Sequence, residues 1–84
     1  MEKTQFNIIF GKFIRVKRLD YGWSQADLAT KLGHNYQNVS RLERGGISPT
    51  LFWCYSLADA FEMSFIQLIK EFEDFKAKHD LDMI

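Results

Sequence analysis

The chain is 84 residues long, with 46% hydrophobic and 15% aromatic residues and a formal net charge of zero. Such a chain is expected to fold as one small domain, residues 1–84, which excludes a disordered protein and leaves no room for a second domain. The single cysteine, Cys54, excludes an internal disulfide. Because no stretch resembles a signal peptide or a membrane span, we expect a cytoplasmic protein with no membrane partner.

The charges are unevenly distributed along the chain. Residues 1–50 hold eight Lys or Arg and four acidic residues, whereas residues 51–84 hold three Lys and seven acidic residues. The two halves therefore carry about +4 and −4, a split that is typical of a protein with one end facing phosphates.

The first predicted helix spans residues 5 to about 20. Its apolar stripe recurs at helical spacing and comprises Phe6, Ile9, Phe10, Phe13 and Ile14, with Leu19 as a further candidate. Gly11 interrupts this stripe at a cost of about 1 kcal/mol and indicates close packing against another element.

Residues 24–45 predict two short helices joined by a tight turn. Ser24 and Asp27 suit a capping box, Gly33 suits the left-handed end of the first helix, and Asn35 can cap the second. The second helix has one narrow apolar edge, and its outer face is formed by Tyr36, Gln37, Asn38, Ser40 and Arg41. Amides, hydroxyls and an arginine match the donors and acceptors of a DNA major groove, although a merely solvated helix can look the same.

Two further helices are predicted. Thr50 can cap a fourth helix that runs to about Phe61, and Ser64 opens a last helix over about residues 64–77. The apolar stripe of the last helix is larger than one small chain should expose, which favours a dimer interface at Phe65, Ile69, Phe72 and Phe75. The folded core is expected over about residues 5–77, with a frayed tail at about 78–84.

These motifs resemble the helix-turn-helix of the lambda-repressor/Cro-like family of transcriptional regulators. The residues that carry the resemblance are Ser24-Gln25, Leu28-Ala29, Leu32-Gly33, Val39-Ser40 and Leu42-Glu43-Arg44-Gly45, and the likeness covers about residues 12 to 70. It implies an all-α, compact five-helix domain that binds a palindromic operator in double-stranded DNA as a homodimer and acts as a repressor or other regulator. Residues 35–45 would be the recognition helix in the major groove.

The resemblance and the chemistry of the side chains together assign expected roles. Base contacts are expected from Tyr36, Gln37, Ser40 and Arg41, with Gln37 suited to adenine. Phosphate contacts are expected from Gln25, Asn35, Asn38, Arg44, Ser48 and Thr50. The resemblance also implies an ion pair between Arg18 and Glu43 that orients the recognition helix.

Two other classes of function have less support in the sequence. A protein-interaction module, such as an antitoxin with a toxin partner or an adaptor with lost DNA reading, remains an alternative, but it would favour an acidic or apolar outer face on the third helix. An enzyme has no support, because no acid–base or nucleophile set accompanies Cys54. His34 and His79 match no metal-ligand spacing, and we expect no catalytic residue, metal or cofactor.

Overall fold

The computed structural model describes residues 1–80, which form five α-helices. In chain order these are α1 (Lys3–Asp20), α2 (Gln25–Leu32), α3 (Tyr36–Glu43), α4 (Leu51–Ala60) and α5 (Phe65–Asp80). The predicted all-α, five-helix fold is confirmed. None of the helices in this part of the chain is both long and apolar enough to cross a membrane.

The first and last helices are longer than the sequence predicted. α1 begins at Lys3 because the backbone N–H of Glu2 is accepted by the Gln5 side chain at 3.3 Å, which closes the first turn. The predicted fraying from residue 78 is wrong for residues 78–80, which continue α5. In the last turn of α5, the His79 ring stacks on Phe75 with 3.9 Å between ring centroids. Residues 81–84, the rest of the predicted tail, lie outside the described residues.

The core is formed where α1, α4 and α5 meet the inner edges of α2 and α3. An aromatic cluster occupies its α1–α5 side, with Phe72 of α5 5.2 Å from Phe10 and 5.6 Å from both Phe6 and Phe13, measured between ring centroids. Phe72 is only 5% exposed. Its predicted place in a dimer interface is therefore wrong, because α1 already covers this ring.

α1 lies directly against the end of α3 at Gly11. A Cβ atom at this position would lie 2.4 Å from the carbonyl oxygen of Leu42 and 2.7 Å from that of Glu43. No other residue can occupy the site without moving backbone, so the close packing predicted for Gly11 is confirmed. The contact sets the distance between α1 and the last turn of α3.

Candidate nucleic-acid interface

α2 and α3 form a helix-turn-helix whose ends are closed by the predicted residues. At the start of α2, Ser24 Oγ accepts the Asp27 N–H at 3.0 Å and the Ser24 N–H donates to the Asp27 carboxylate at 2.9 Å. The hydrogen bonds from Ser24, its backbone N–H first, hold the pKa of Asp27 below its usual value. Gly33 ends α2 with a φ of 71°, and Asn35 Oδ1 accepts the Asn38 N–H at 3.0 Å at the start of α3.

The inner side of α3 is fixed by a buried ionic network. Arg18 of α1 donates to the Glu43 carboxylate through Nε at 2.7 Å and through Nη2 at 3.0 Å, and both residues are nearly inaccessible to solvent. Arg18 Nη1 also donates to the Trp23 carbonyl at 2.7 Å, while Gln25 Nε2 donates to Glu43 at 3.1 Å. Each partner charge is thus satisfied several times, and α1, α2 and α3 are joined at one point.

The outer side of α3 is free. Tyr36 is 54% exposed, Gln37 and Arg41 are exposed, and Ser40 is partly exposed. Among the side chains of residues 1–79, none forms a hydrogen bond or an ion pair with any of these four. They follow one another at i, i+1, i+4 and i+5, which places them on one side of the helix. The four residues expected to contact bases therefore share a surface with unused donors and acceptors.

The residues expected to contact phosphate border this surface in different states. Asn35 and Thr50 cap α3 and α4 through their side-chain oxygens, which leaves the Asn35 amide N–H₂ and the Thr50 hydroxyl proton for other partners. Arg44, the C-cap of α3, is exposed. The Nδ2 atom of Asn38 lies 3.5 Å from His34 Nδ1. Gln25 is occupied by Glu43, with one amide hydrogen left.

Ser48, the last of the residues expected to contact phosphate, is exposed in the loop between α3 and α4. Its hydroxyl donates to Asn7 Oδ1 of α1 at 2.7 Å. The turn between α2 and α3 is also anchored to a distant element, since the His34 ring stacks on Trp53 of α4 at 4.8 Å between ring centroids.

The residues expected at a dimer interface are divided by the structure. Phe72 is in the core and Phe75 stacks on His79, whereas Phe65 and Ile69 border an exposed apolar surface. Its most exposed members are Phe52 at 80% and Ile66 at 79%. We call this surface the α4–α5 face and define it as Leu51, Phe52, Tyr55, Phe65, Ile66 and Ile69.

Several of these features have little or no signal in the sequence. No local pattern marks Leu51, Phe52 and Tyr55 as contact residues, because α4 is apolar nearly all round and an exposed apolar side chain has no signal of its own in the sequence. The bond between Asn7 and Ser48 joins residues 41 positions apart, and no local pattern announces it. Among the described residues no group of three or more His, Cys, Asp or Glu could hold a metal ion.

Comparisons with known proteins agree with this geometry. The helix-turn-helix family model HTH_3 matches residues 14–68. An uncharacterized HTH-type transcriptional regulator, y4dJ of Sinorhizobium fredii, is 32% identical over 62 residues, which are 74% of this chain and 79% of that protein. The restriction-modification controller protein C.AhdI of Aeromonas hydrophila is 28% identical with a TM-score of 0.74, over 81% of this chain and 99% of that one.

A second solved structure shows the same fold at lower identity. The clp gene regulator ClgR of Corynebacterium glutamicum has a TM-score of 0.80 at 22% identity, over 93% of this chain and 83% of that one. The agreement extends beyond the two helices of the motif to nearly the whole described chain.

Proposed function

The chain belongs to the HTH_3 helix-turn-helix family of DNA-binding transcriptional regulators, and on this basis we propose that it binds a palindromic operator as a homodimer. Members of this family are not enzymes. In this proposal α3 enters the major groove and each subunit reads one half-site. A two-fold dimer then presents two copies of α3 one helical turn of DNA apart.

One observation carries the proposal: α3 is fixed on its inner side and free on its outer side. The Arg18–Glu43 pair holds the helix at the inner side, while the Gln37 and Arg41 side chains have no partner among the side chains of residues 1–79. Preorganised donors and acceptors on a rigid helix are what base reading requires, since ordering them on binding would cost affinity. A helix that served only as a solvated surface would not need this fixation.

The proposed base contacts follow from the chemistry of the outer face. Gln37 is suited to a bidentate contact with adenine, and Arg41 to one with guanine. Tyr36 can contact a thymine methyl group and Ser40 can bond to a base edge. The proposed phosphate contacts surround these residues at Gln25, Asn35, Asn38, Arg44, Ser48 and Thr50.

We propose the α4–α5 face as the contact between the two subunits; it keeps Phe65 and Ile69 of the predicted interface and omits Phe72 and Phe75. The Tyr55 and Phe65 rings stack at 4.4 Å between centroids and so join the apolar side chains of α4 to those of α5. Phe52 and Ile66 extend from this face into solvent. A small protein rarely leaves such a patch uncovered, and an isologous contact between two copies buries it on both subunits.

The proposal is tested by Gln37→Ala on the outer face of α3. Gln67→Ala, at an exposed position of α5, is the matched control. Binding is measured by fluorescence anisotropy on an operator duplex selected from random sequence and on a scrambled duplex. We expect the wild type to prefer the operator about a thousandfold or more. Gln37→Ala should lose about 1–3 kcal/mol of that preference and keep its affinity for the scrambled duplex. Gln67→Ala should match the wild type.

Two results would contradict the proposal. Equal binding of both duplexes by the wild type would remove operator reading and favour a protein-interaction module. An unchanged preference in Gln37→Ala would remove this residue from the reading surface.

A further inference from the structure

α1 contacts the end of α3 and the following loop along one continuous line. Gly11 lies against the Leu42 carbonyl, and one turn earlier Ile8 lies against Gly45, where an added Cβ would be 3.1 Å from the Ile8 Cα. Asn7 completes the line by its hydrogen bond to Ser48. The amino-terminal half of α1 thus lies beside the segment that, in the proposed function, leads from the recognition helix to the phosphate contacts at Ser48 and Thr50.

The bond between Asn7 and Ser48 decides which atoms of this site can donate to an anion. A serine hydroxyl has a single proton, and that of Ser48 is given to Asn7 Oδ1 at 2.7 Å. In this state Ser48 offers only lone pairs outward, which repel a phosphate oxygen. The two amide hydrogens on Asn7 Nδ2 have no acceptor among residues 1–79, and the bond to Ser48 fixes the plane of the amide that carries them.

Rotation of the Asn7 amide by 180° gives the complementary arrangement. Nδ2 then donates one hydrogen to Ser48 Oγ, and the Ser48 hydroxyl proton becomes free to donate outward. The pair offers at least one donor to an anion in either orientation. Loss of the amide would remove the donor in the first arrangement and the positioning of Ser48 in the second.

The surroundings of the pair favour an anion. Lys3 lies one helical turn before Asn7, at i−4 on the same face of α1, and is exposed. No carboxylate of residues 1–79 lies within ion-pair distance of Lys3, and the first 50 residues carry the positive excess of the chain. The negative charge of Glu2, next to Lys3, is the opposing group on this helix.

We propose that Asn7 is a DNA phosphate contact and that Asn7 and Ser48 bind one phosphate as a pair. This inference rests on the proposed function. The interface then extends beyond the helix-turn-helix onto α1. Because a phosphate contact carries no base information, Asn7 contributes equally to binding of operator and of random-sequence DNA.

The test places charges at Asn7 and, as a matched control, at exposed Ala77 of α5. Asn7→Asp, Asn7→Lys, Ala77→Asp and Ala77→Lys are titrated by anisotropy against the selected operator and a random-sequence duplex across a salt series. Asn7→Asp should weaken binding to both duplexes by about tenfold or more, because a carboxylate replaces a donor to phosphate. Asn7→Lys should steepen the slope of log affinity against log salt by about 0.9. The Ala77 variants change the net charge equally and should stay within about twofold of the wild type.

A second measurement is independent of any destabilisation by these variants. In the wild-type protein, the side-chain N–H₂ resonances of Asn7 are assigned by their loss in Asn7→Ala and followed by NMR as the random-sequence duplex is added. They should shift with the duplex. Unshifted resonances, or Asn7 variants that behave like the Ala77 variants, would overturn the assignment of Asn7.

These outcomes are separate from those that test the proposed function. A wild type that prefers its operator while the Asn7 variants follow the controls keeps operator reading and rejects the phosphate contact. A wild type without preference, combined with an Asn7-dependent salt slope on random DNA, rejects operator reading and retains the contact.

Discussion

The buried contact between α1 and α3 and the exposed α4–α5 face are formed by different kinds of interaction. Where α1 meets α3, Gly11 allows backbone contact and the buried Arg18–Glu43 pair adds directional bonds of 2.7 and 3.0 Å. The α4–α5 face, by contrast, ends in exposed apolar rings and aliphatic chains such as Phe52 and Ile66. Polar bonds fix an orientation, whereas apolar area supplies affinity without much direction. Directional bonds suit the contact that fixes the orientation of α3, and exposed apolar area suits the proposed subunit contact at the α4–α5 face.

The largest effect is expected from breaking the buried pair. Arg18→Met leaves the Glu43 carboxylate buried with only the Gln25 amide as partner, so the free energy of unfolding should fall by about 3–5 kcal/mol. Urea unfolding measures this loss. The more exposed pair of Lys76 and Glu73, with Nζ and Oε2 3.4 Å apart, provides the control, since Lys76→Met should cost less than about 1 kcal/mol. Equal losses in the two variants would show that the buried pair does not hold α3.

A smaller loss is expected from the steric contact at Gly11. Gly11→Ala gains about 1 kcal/mol of helix propensity, but its Cβ meets two backbone carbonyl groups of α3. The net result should be a loss of about 1–3 kcal/mol in the free energy of unfolding. Lys12→Ala, at the exposed neighbouring position, should stay within about 0.5 kcal/mol. A Gly11→Ala variant as stable as the wild type would mean that α1 and α3 can separate without cost.

The α4–α5 face should respond in association and not in folding. Ile66→Glu places a charge in the proposed subunit contact, so the dimer dissociation constant in sedimentation equilibrium should rise about tenfold or more. The free energy of unfolding of the monomer should change by no more than about 0.5 kcal/mol. Leu19→Glu is the control, because Leu19 is also exposed, at 53%, but lies on α1. Dissociation by Leu19→Glu and not by Ile66→Glu would move the contact to α1.

The smallest effect concerns Lys17 and Glu71, a partly exposed ion pair between α1 and α5. The hydrogen bond from Lys17 lowers the pKa of Glu71 from its usual 4.5. Because the folded pKa is the lower one, the stabilisation is present above pH 4.5 and is lost as the pH falls through the folded pKa. Glu71→Gln should therefore be less stable at pH 7 by under about 1 kcal/mol and match the wild type in acid. A difference that persists in acid would contradict this origin.

The sequence predicted the fold well where a single residue type meets a local structural requirement, such as the capping of a helix. Ser24, Asn35 and Thr50 cap helices because their side-chain oxygens meet unpaired amides, and this need is visible within four residues. The resemblance to lambda-repressor/Cro-like proteins, which the family match confirms, added the expectation that the five helices form one compact domain, and the structure has these five helices.

The rest depends on contacts between distant residues. The stripe of α5 contains both Phe72 and Ile69, and the position of α1 decides that Phe72 is core whereas Ile69 stays partly exposed. The bond between Asn7 and Ser48 likewise arises from how α1 crosses the loop after α3. Periodicity identifies an apolar side of a helix but does not say how much of it one chain covers.

The central claim, that two copies of α3 read a symmetric operator, is tested most directly by hydroxyl-radical footprinting of the wild type on its selected duplex. The account predicts two equal protected segments on one side of the DNA, related by a two-fold axis, with centres about 10 base pairs apart. A single protected half-site, or protection that spreads evenly along the duplex, would contradict it.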